Sequence, residues 1–241
     1  MTQLLKLFLL LVLAQNCQRD DISPVPGAAR YDQYEGLIKD KSIAIATNQT
    51  SMIGDIHLLD YLIKNGVDIK RIMNVYVPEH GFRGTASDGE FIENGRDAKT
   101  GVPIISLYGN HKKPAADDLK DVDAVLFDIQ EVGARFYTYI STLHYIMEAC
   151  AENKVKCIIL DRPNPNGFYV DGNILDTAFS SFVGMHPVPV VHGMTVGEYG
   201  MMINGEGWLA GGIKCDLTVI KCLNYDHSVL YELPVRPDRK S

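Results

Sequence analysis

The stretch Ala124-Val125-Leu126-Phe127-Asp128-Ile129-Gln130-Glu131-Val132-Gly133-Ala134-Arg135-Phe136-Tyr137-Thr138-Tyr139 decides the fold. Four apolar residues in a row, without polar alternation, are what a strand buried on both faces requires. The run then stops on an acid, a glutamine and a second acid. Asn74-Val75-Tyr76-Val77 ends the same way in Pro78-Glu79-His80-Gly81-Phe82-Arg83-Gly84, and Cys157-Ile158-Ile159-Leu160 in Asp161-Arg162-Pro163-Asn164-Pro165-Asn166-Gly167. Strand-like runs at 42–47, 71–77, 104–107, 124–128 and 156–160 alternate with helix-like runs at 56–64, 115–119 and 138–153. Such alternation predicts an α/β fold, a mostly parallel sheet with helices on both faces. Ligands bind such open sheets outside the carboxyl ends of the strands, so the polar loops read as a site.

Outward from these strands the pattern changes. Asn65-Gly66 supplies a left-handed stop for the first helix. Residues 179–191 are rich in Pro and Gly and read as a crossing loop; Thr195 is placed to cap a helix running through 198–203, and 215–222 reads as a final strand.

With 241 residues, 46% hydrophobic and 22% charged, the chain has the composition of a globular protein with a sizeable core. A formal charge of -7 and the lack of a long basic run argue against nucleic acid as a partner. Asn48-Gln49-Thr50 after the first strand lacks the glycine pattern of a phosphate cradle, so no nucleotide and no cofactor is expected. The N-terminus, with Lys6 before the apolar residues 7–14, reads as an export signal over residues 1–17. Cleavage before Cys17, which would make Cys17 a lipid anchor, and plain signal cleavage both fit. The expected location is periplasmic or lipid-anchored at the bacterial envelope. Residues 18–40, with Pro24-Val25-Pro26-Gly27, read as a linker, 41–210 as the main lobe and 211–241 as the start of a second domain. Cys150, Cys157, Cys215 and Cys222 read as structural, since no pair has the spacing of a zinc knuckle or redox motif.

Glu79, at a proline-fixed strand exit, is a candidate general acid or base with His80 and Arg83 tuning it; the alternative is a surface carboxylate paired with Arg83. Asp128 is a candidate second carboxylate or sugar-orienting group, with Gln130, Arg135 and Tyr137 as partners, or else an acid capping the next helix. The Gly133 loop can turn Glu131 either way. Asp161, Arg162 and Asn164 suit recognition of hydroxyl or carboxylate groups, against a simple Asp161–Arg162 salt bridge. His192 is a ligand contact or a histidine packed at the loop base. A metal-dependent hydrolase built on His80, Asp128, Asp161 and His192 is a competing reading, though no metal-spacing motif accompanies it.

These blocks, with Ser106-Leu107-Tyr108-Gly109 and His192-Gly193-Met194-Thr195, resemble the signature blocks of the exo-β-N-acetylmuramidases of the NamZ type, from about residue 42 to 209. The resemblance implies a Rossmann-like lobe joined to a smaller C-terminal domain, with the active site in the cleft between them. It also implies an exported bacterial glycoside hydrolase that removes N-acetylmuramic acid from the non-reducing end of peptidoglycan fragments, in cell-wall turnover. The family's catalytic glutamate maps onto Glu79, and the leading expectation is Glu79 as general acid with Asp128, at the adjacent strand end, assisting. Arg135 or Arg162 is then expected to recognise the lactyl carboxylate of the sugar. Glu131 stands where the family pattern has aspartate. The family also continues beyond the point where this chain stops, so weakened activity, or a non-catalytic glycan-binding lobe, is a further expectation. Apolar surface is then expected to be exposed near Trp208-Leu209 and 217–223.

Overall fold

The computed structural model describes residues 23–79, 81–83 and 94–235. After a short helix α1 (Glu35–Ile38), strand β1 (Ile43–Thr47) leads into a small hairpin, β2 (Met52–Ile53) with β3 (Ile56–His57), and helix α2 (Leu58–Lys64). Then follow β4 (Ile72–Val77), β5 (Gly95–Arg96), β6 (Pro103–Ser106), β7 (Ala124–Asp128), helix α3 (Tyr139–Asn153), β8 (Lys156–Leu160), helix α4 (Val196–Glu206) and β9 (Leu217–Ile220). The main sheet has the order β5-β6-β4-β1-β7-β8-β9, and every pairing is parallel except the short β5 edge.

Alternation within each strand divides the core in two. Ala44, Ala46, Val125, Phe127, Cys157 and Ile159 face one side, where they pack with Leu143, Ile146 and Met147 of α3 and Tyr199 and Ile203 of α4. Ile43, Ile45, Ala124, Leu126, Ile158 and Leu160 face the other, against Leu58, Leu59 and Leu62 of α2. Both faces are covered, which is why these strands read as unbroken apolar runs. Helix α4 lies close against β8 because Gly200 has no side chain: a Cβ there would run into Ile159 Cδ1.

The expected helix at 56–64 begins two residues later, because Ile56–His57 pairs with Met52–Ile53 across a turn in which Gly54 has φ +55°. The expected helix at 115–119 is a 3-10 turn, Ala116–Leu119. Two domain boundaries also differ from expectation. β9 pairs in register with β8, from Cys157↔Leu217 to Leu160↔Ile220, so the chain past residue 210 completes the sheet rather than starting a new domain. Within the expected linker, Val25 pairs with Leu223, the Gly27 amide donates to Asp161 O at 2.7 Å, and Ala28 and Tyr34 are fully buried. Leu209 is buried and Trp208 stacks on His186 at 4.8 Å, so the 208–209 part of the expected apolar patch is covered, whereas Leu223 in the 217–223 part is exposed. Exposed apolar side chains lie also at Phe136, Tyr137, Phe168, Val170, Ile174 and Phe179.

The four cysteines from Cys150 onward are free thiols. No helix among the described residues is long and apolar enough to cross a membrane. The expected export signal and Cys17 lie outside the described residues.

Candidate active site

The chain leaves β1 for β4 on one side and later returns to β7 on the other, so the switch of strand order falls between β1 and β7. Their register sets Thr47 beside Asp128, and the loops after the two strands emerge together. Side chains fasten them: Ser51 Oγ donates to Asp128 O, and the Gln130 amide to Thr50 Oγ1 at 3.0 Å. His57 Nε2 lies 3.0 Å from Asn48 O, which ties the small hairpin to the same corner.

Asp128 does not face this corner as a free acid. Both its oxygens are taken by Arg162, Nε to Oδ1 at 2.5 Å and Nη2 to Oδ2 at 3.0 Å, and both residues are buried. A bidentate pair sealed from water locks two strand ends together, and it occupies both oxygens of Asp128 while Nη1 of Arg162 is buried without a hydrogen-bond partner. The assisting role expected of Asp128 requires that pair to open; in this structure both residues serve as an anchor between strand ends.

Asp161 is likewise occupied. Its Oδ1 accepts from the Gly197 amide at 2.7 Å and the Arg162 amide at 3.0 Å, and its Oδ2 from Thr195 Oγ1 at 3.0 Å, so it sits on the N-terminus of α4. Burial pushes its pKa up to about 6, with these donors pulling the other way. A Cβ on Gly197 would come within 2.7 Å of Asp161 Cγ, so a glycine admits the contact. Asn164 spends its side chain on Met194 O and the Asn166 amide, each at 2.8 Å. No group of three or more His, Cys, Asp or Glu able to hold a metal occurs among the described residues, which leave out His80 of the competing metal reading.

Arg83 faces away from Glu79: its guanidinium chelates Asp97 at 2.8 and 2.9 Å and reaches Asp60 at 3.1 Å. The pairing expected between Arg83 and Glu79 is not made. Arg135 gives Nη1 to Asn173 O at 2.7 Å and to Val188 O, fastening the loop that crosses beside it. Tyr137 is half exposed next to Phe136, their rings 5.6 Å apart. His80 lies outside the described residues.

What remains at the switch point is a cluster of polar groups short of partners. Glu79 is half-buried just past β4, and its charge, ahead of burial, makes the hydroxyl of Tyr108, just past β6, harder to ionise. Glu131 is 3% exposed, and neither carboxylate oxygen has a hydrogen-bond partner of good geometry. Burial raises its pKa to about 8, offset in part by the nearby Val132 and Ile140 amides. Tyr139, opening α3, lies in the field of both Glu131 and Glu79 and against the side chain of Asn48; burial above all keeps its hydroxyl un-ionised. Gln130 donates Nε2 to Glu131 O at 2.7 Å and Pro163 O at 2.8 Å, while its Oε1 is buried without a donor. His192 accepts from the Met194 amide on Nδ1 at 3.2 Å, which assigns the proton to Nε2, a buried donor with no acceptor. Burial lowers its pKa to about 4, so the ring is neutral.

Asn48, Tyr108 and Tyr139 were not among the expected site residues. The signal for Asn48 lay in its place, one residue beyond the central strand; its lack of a phosphate-binding pattern says nothing against a sugar. An open groove between α4 and β9 lies elsewhere, and of the clustered acids only Asp161 reaches it.

The comparisons decide the lineage. A family model described as "Exo-beta-N-acetylmuramidase NamZ, N-terminal" matches residues 43–238. The chain belongs to the NamZ family. It is 42% identical over 200 residues to the peptidoglycan beta-N-acetylmuramidase NamZ of Bacillus subtilis (strain 168), covering 83% of this chain and 47% of that protein. Among solved structures it is similar to two DUF1343 family proteins of Bacteroides fragilis NCTC 9343. One superposes with a TM-score of 0.80 at 46% identity, over 90% of this chain and 57% of the other. The second gives 0.78 at 35% identity, over 86% and 52%. The chain thus spans about half the length of the NamZ relatives it matches, and the Rossmann-like α/β sheet is shared with both structures.

Proposed function

We propose that this chain is the catalytic lobe of an exo-acting peptidoglycan glycosidase that releases N-acetylmuramic acid from non-reducing ends, with Glu79 as a catalytic carboxylate. The observation that carries this reading is the placement of Glu79. It is a half-buried acid at the carboxyl end of a parallel strand, beside the switch point and with Tyr108 in its field, without a cation spent on it among the described residues. Glycosidic bonds are cleaved by carboxyl pairs through an oxocarbenium-like transition state, and a carboxylate open to one side is what such a state needs. Family membership supplies the substrate class. Half-exposed Arg135 is the cation we assign to the lactyl carboxylate, since one of its nitrogens is held by carbonyls and no acid neutralises it among the described residues.

Read as an export signal, residues 1–17 support a reaction outside the cytoplasm, in cell-wall turnover. The aromatics Phe136, Tyr137, Phe168 and Tyr169, exposed on loops linked to the site through the Ala134↔Val191 and Asp171↔Val191 bridges, favour one second reading, a lobe that holds glycan without cleaving it. Incubation with a muramic-acid-terminated disaccharide separates the two. Release of the free sugar, lost in Glu79→Gln, supports hydrolysis; binding without release in the unaltered chain supports the second reading.

A further inference from the structure

Resting on the glycosidase reading, we infer that Glu131 is the proton donor of the site and Glu79 the base that works opposite it. Four features of the geometry carry this. Among the described residues Glu131 is the buried acid at the switch point that no cation or side-chain donor neutralises: Asp128 belongs to Arg162 and Asp161 to the end of α4. Its carboxyl is almost wholly buried with both oxygens unpartnered, a costly arrangement for a charged group and a tolerable one for a protonated group. The tyrosines in its field are un-ionised at neutral pH, Tyr139 from α3 and Tyr199 from α4, with neutral His192 against the Tyr199 ring at 4.9 Å. And the strands that carry the two acids, β4 and β7, both pair in parallel with β1, so Glu79 and Glu131 leave the same edge of the sheet on either side of β1.

The two acids then have different environments, which is how a glycosidase keeps one carboxyl protonated while its partner is ionised. In the reaction the C1–O bond breaks with its electron pair leaving on the oxygen. Glu131 gives that oxygen its proton. Glu79 takes a proton from the water that adds to C1, and the two carboxyls regain their starting states by exchange with solvent. One water is consumed and two sugars with free hydroxyls result.

The test compares two substrates of different leaving group: a muramic-acid-terminated disaccharide, whose departing oxygen needs a proton, and the 4-nitrophenyl glycoside of N-acetylmuramic acid, whose departing phenolate does not. Glu131→Gln is isosteric, and near-UV circular dichroism checks that it is folded. We expect it to lower kcat on the disaccharide about 10²–10⁴-fold and on the nitrophenyl glycoside less than about 10-fold. Glu131→Asp should restore part of the disaccharide rate, and Glu79→Gln should depress both substrates. An unchanged disaccharide rate in Glu131→Gln, or an equal loss on both substrates, overturns the assignment while leaving the glycosidase reading standing. No turnover of either substrate by the unaltered chain overturns that reading, and the assignment with it.

Discussion

At the scale of single residues, the chain contains three buried acids in similar sequence surroundings, and only their partners tell them apart. Asp128 and Asp161 are each saturated, one by a guanidinium and the other by a helix end, while Glu131 has no partner of good geometry. Removing one member of a sealed ion pair strands the other, so Arg162→Ala should destabilise the fold by about 3–5 kcal/mol. Chemical denaturation measures that loss, and a variant as stable as the parent would mean the pair is not a structural anchor. Glu131 gives a pH signature of its own. Its folded pKa lies above the unfolded value, so the native state holds the proton longer, and its contribution to stability is full below about pH 4.5 and lost as pH rises through about 8. Tyr139 and Tyr199, which lie in its field, are each made harder to ionise, by burial first and by Glu131 next. Denaturant midpoints measured across that window should fall by an amount worth a few kcal/mol in the parent and stay flatter in Glu131→Gln. Parallel curves for the two proteins would contradict the raised pKa.

At the scale of elements, the loop from β7 to α3 does most to shape the site. Gly133 turns it with φ +79°, and a Cβ there would strike the Asn164 side chain. Gly133→Ala combines a left-handed backbone with a clash and should cost about 1–3 kcal/mol, or a fall in Tm of roughly 2–12 °C for a domain of this size, read by differential scanning calorimetry. The apolar runs made β1, β4, β7 and β8 legible because both faces of each strand are buried, and Thr195 with Glu198 announced α4 through a reciprocal capping box. The β2–β3 hairpin and β5 left no periodic signal, each strand being two residues long. Nor did residues 25–38, whose order comes from contacts with residues 161 and 223, far away in sequence. The same limit applies to the site. Sequence picked out the loops that carry Glu79, Asp128 and Glu131, but the choice among the acids depends on which one Arg162 reaches, and two arginines and three acids in neighbouring loops allow several pairings.

At the scale of the whole molecule, the sheet order and the site belong to one piece of architecture. The reversal between β1 and β7 opens the crevice, the hairpin and the Asp128–Arg162 pair hold it, and Glu79 and Glu131 enter it from strands on either side of β1. This chain spans about half the length of the relatives it matches. The most direct test follows the appearance of free N-acetylmuramic acid from a muramic-acid-terminated disaccharide with the unaltered chain and with Glu79→Gln. Steady release by the parent and at least about 10²-fold less by the variant is the expected result. Equal release by the two proteins, or none by the parent, would contradict the account.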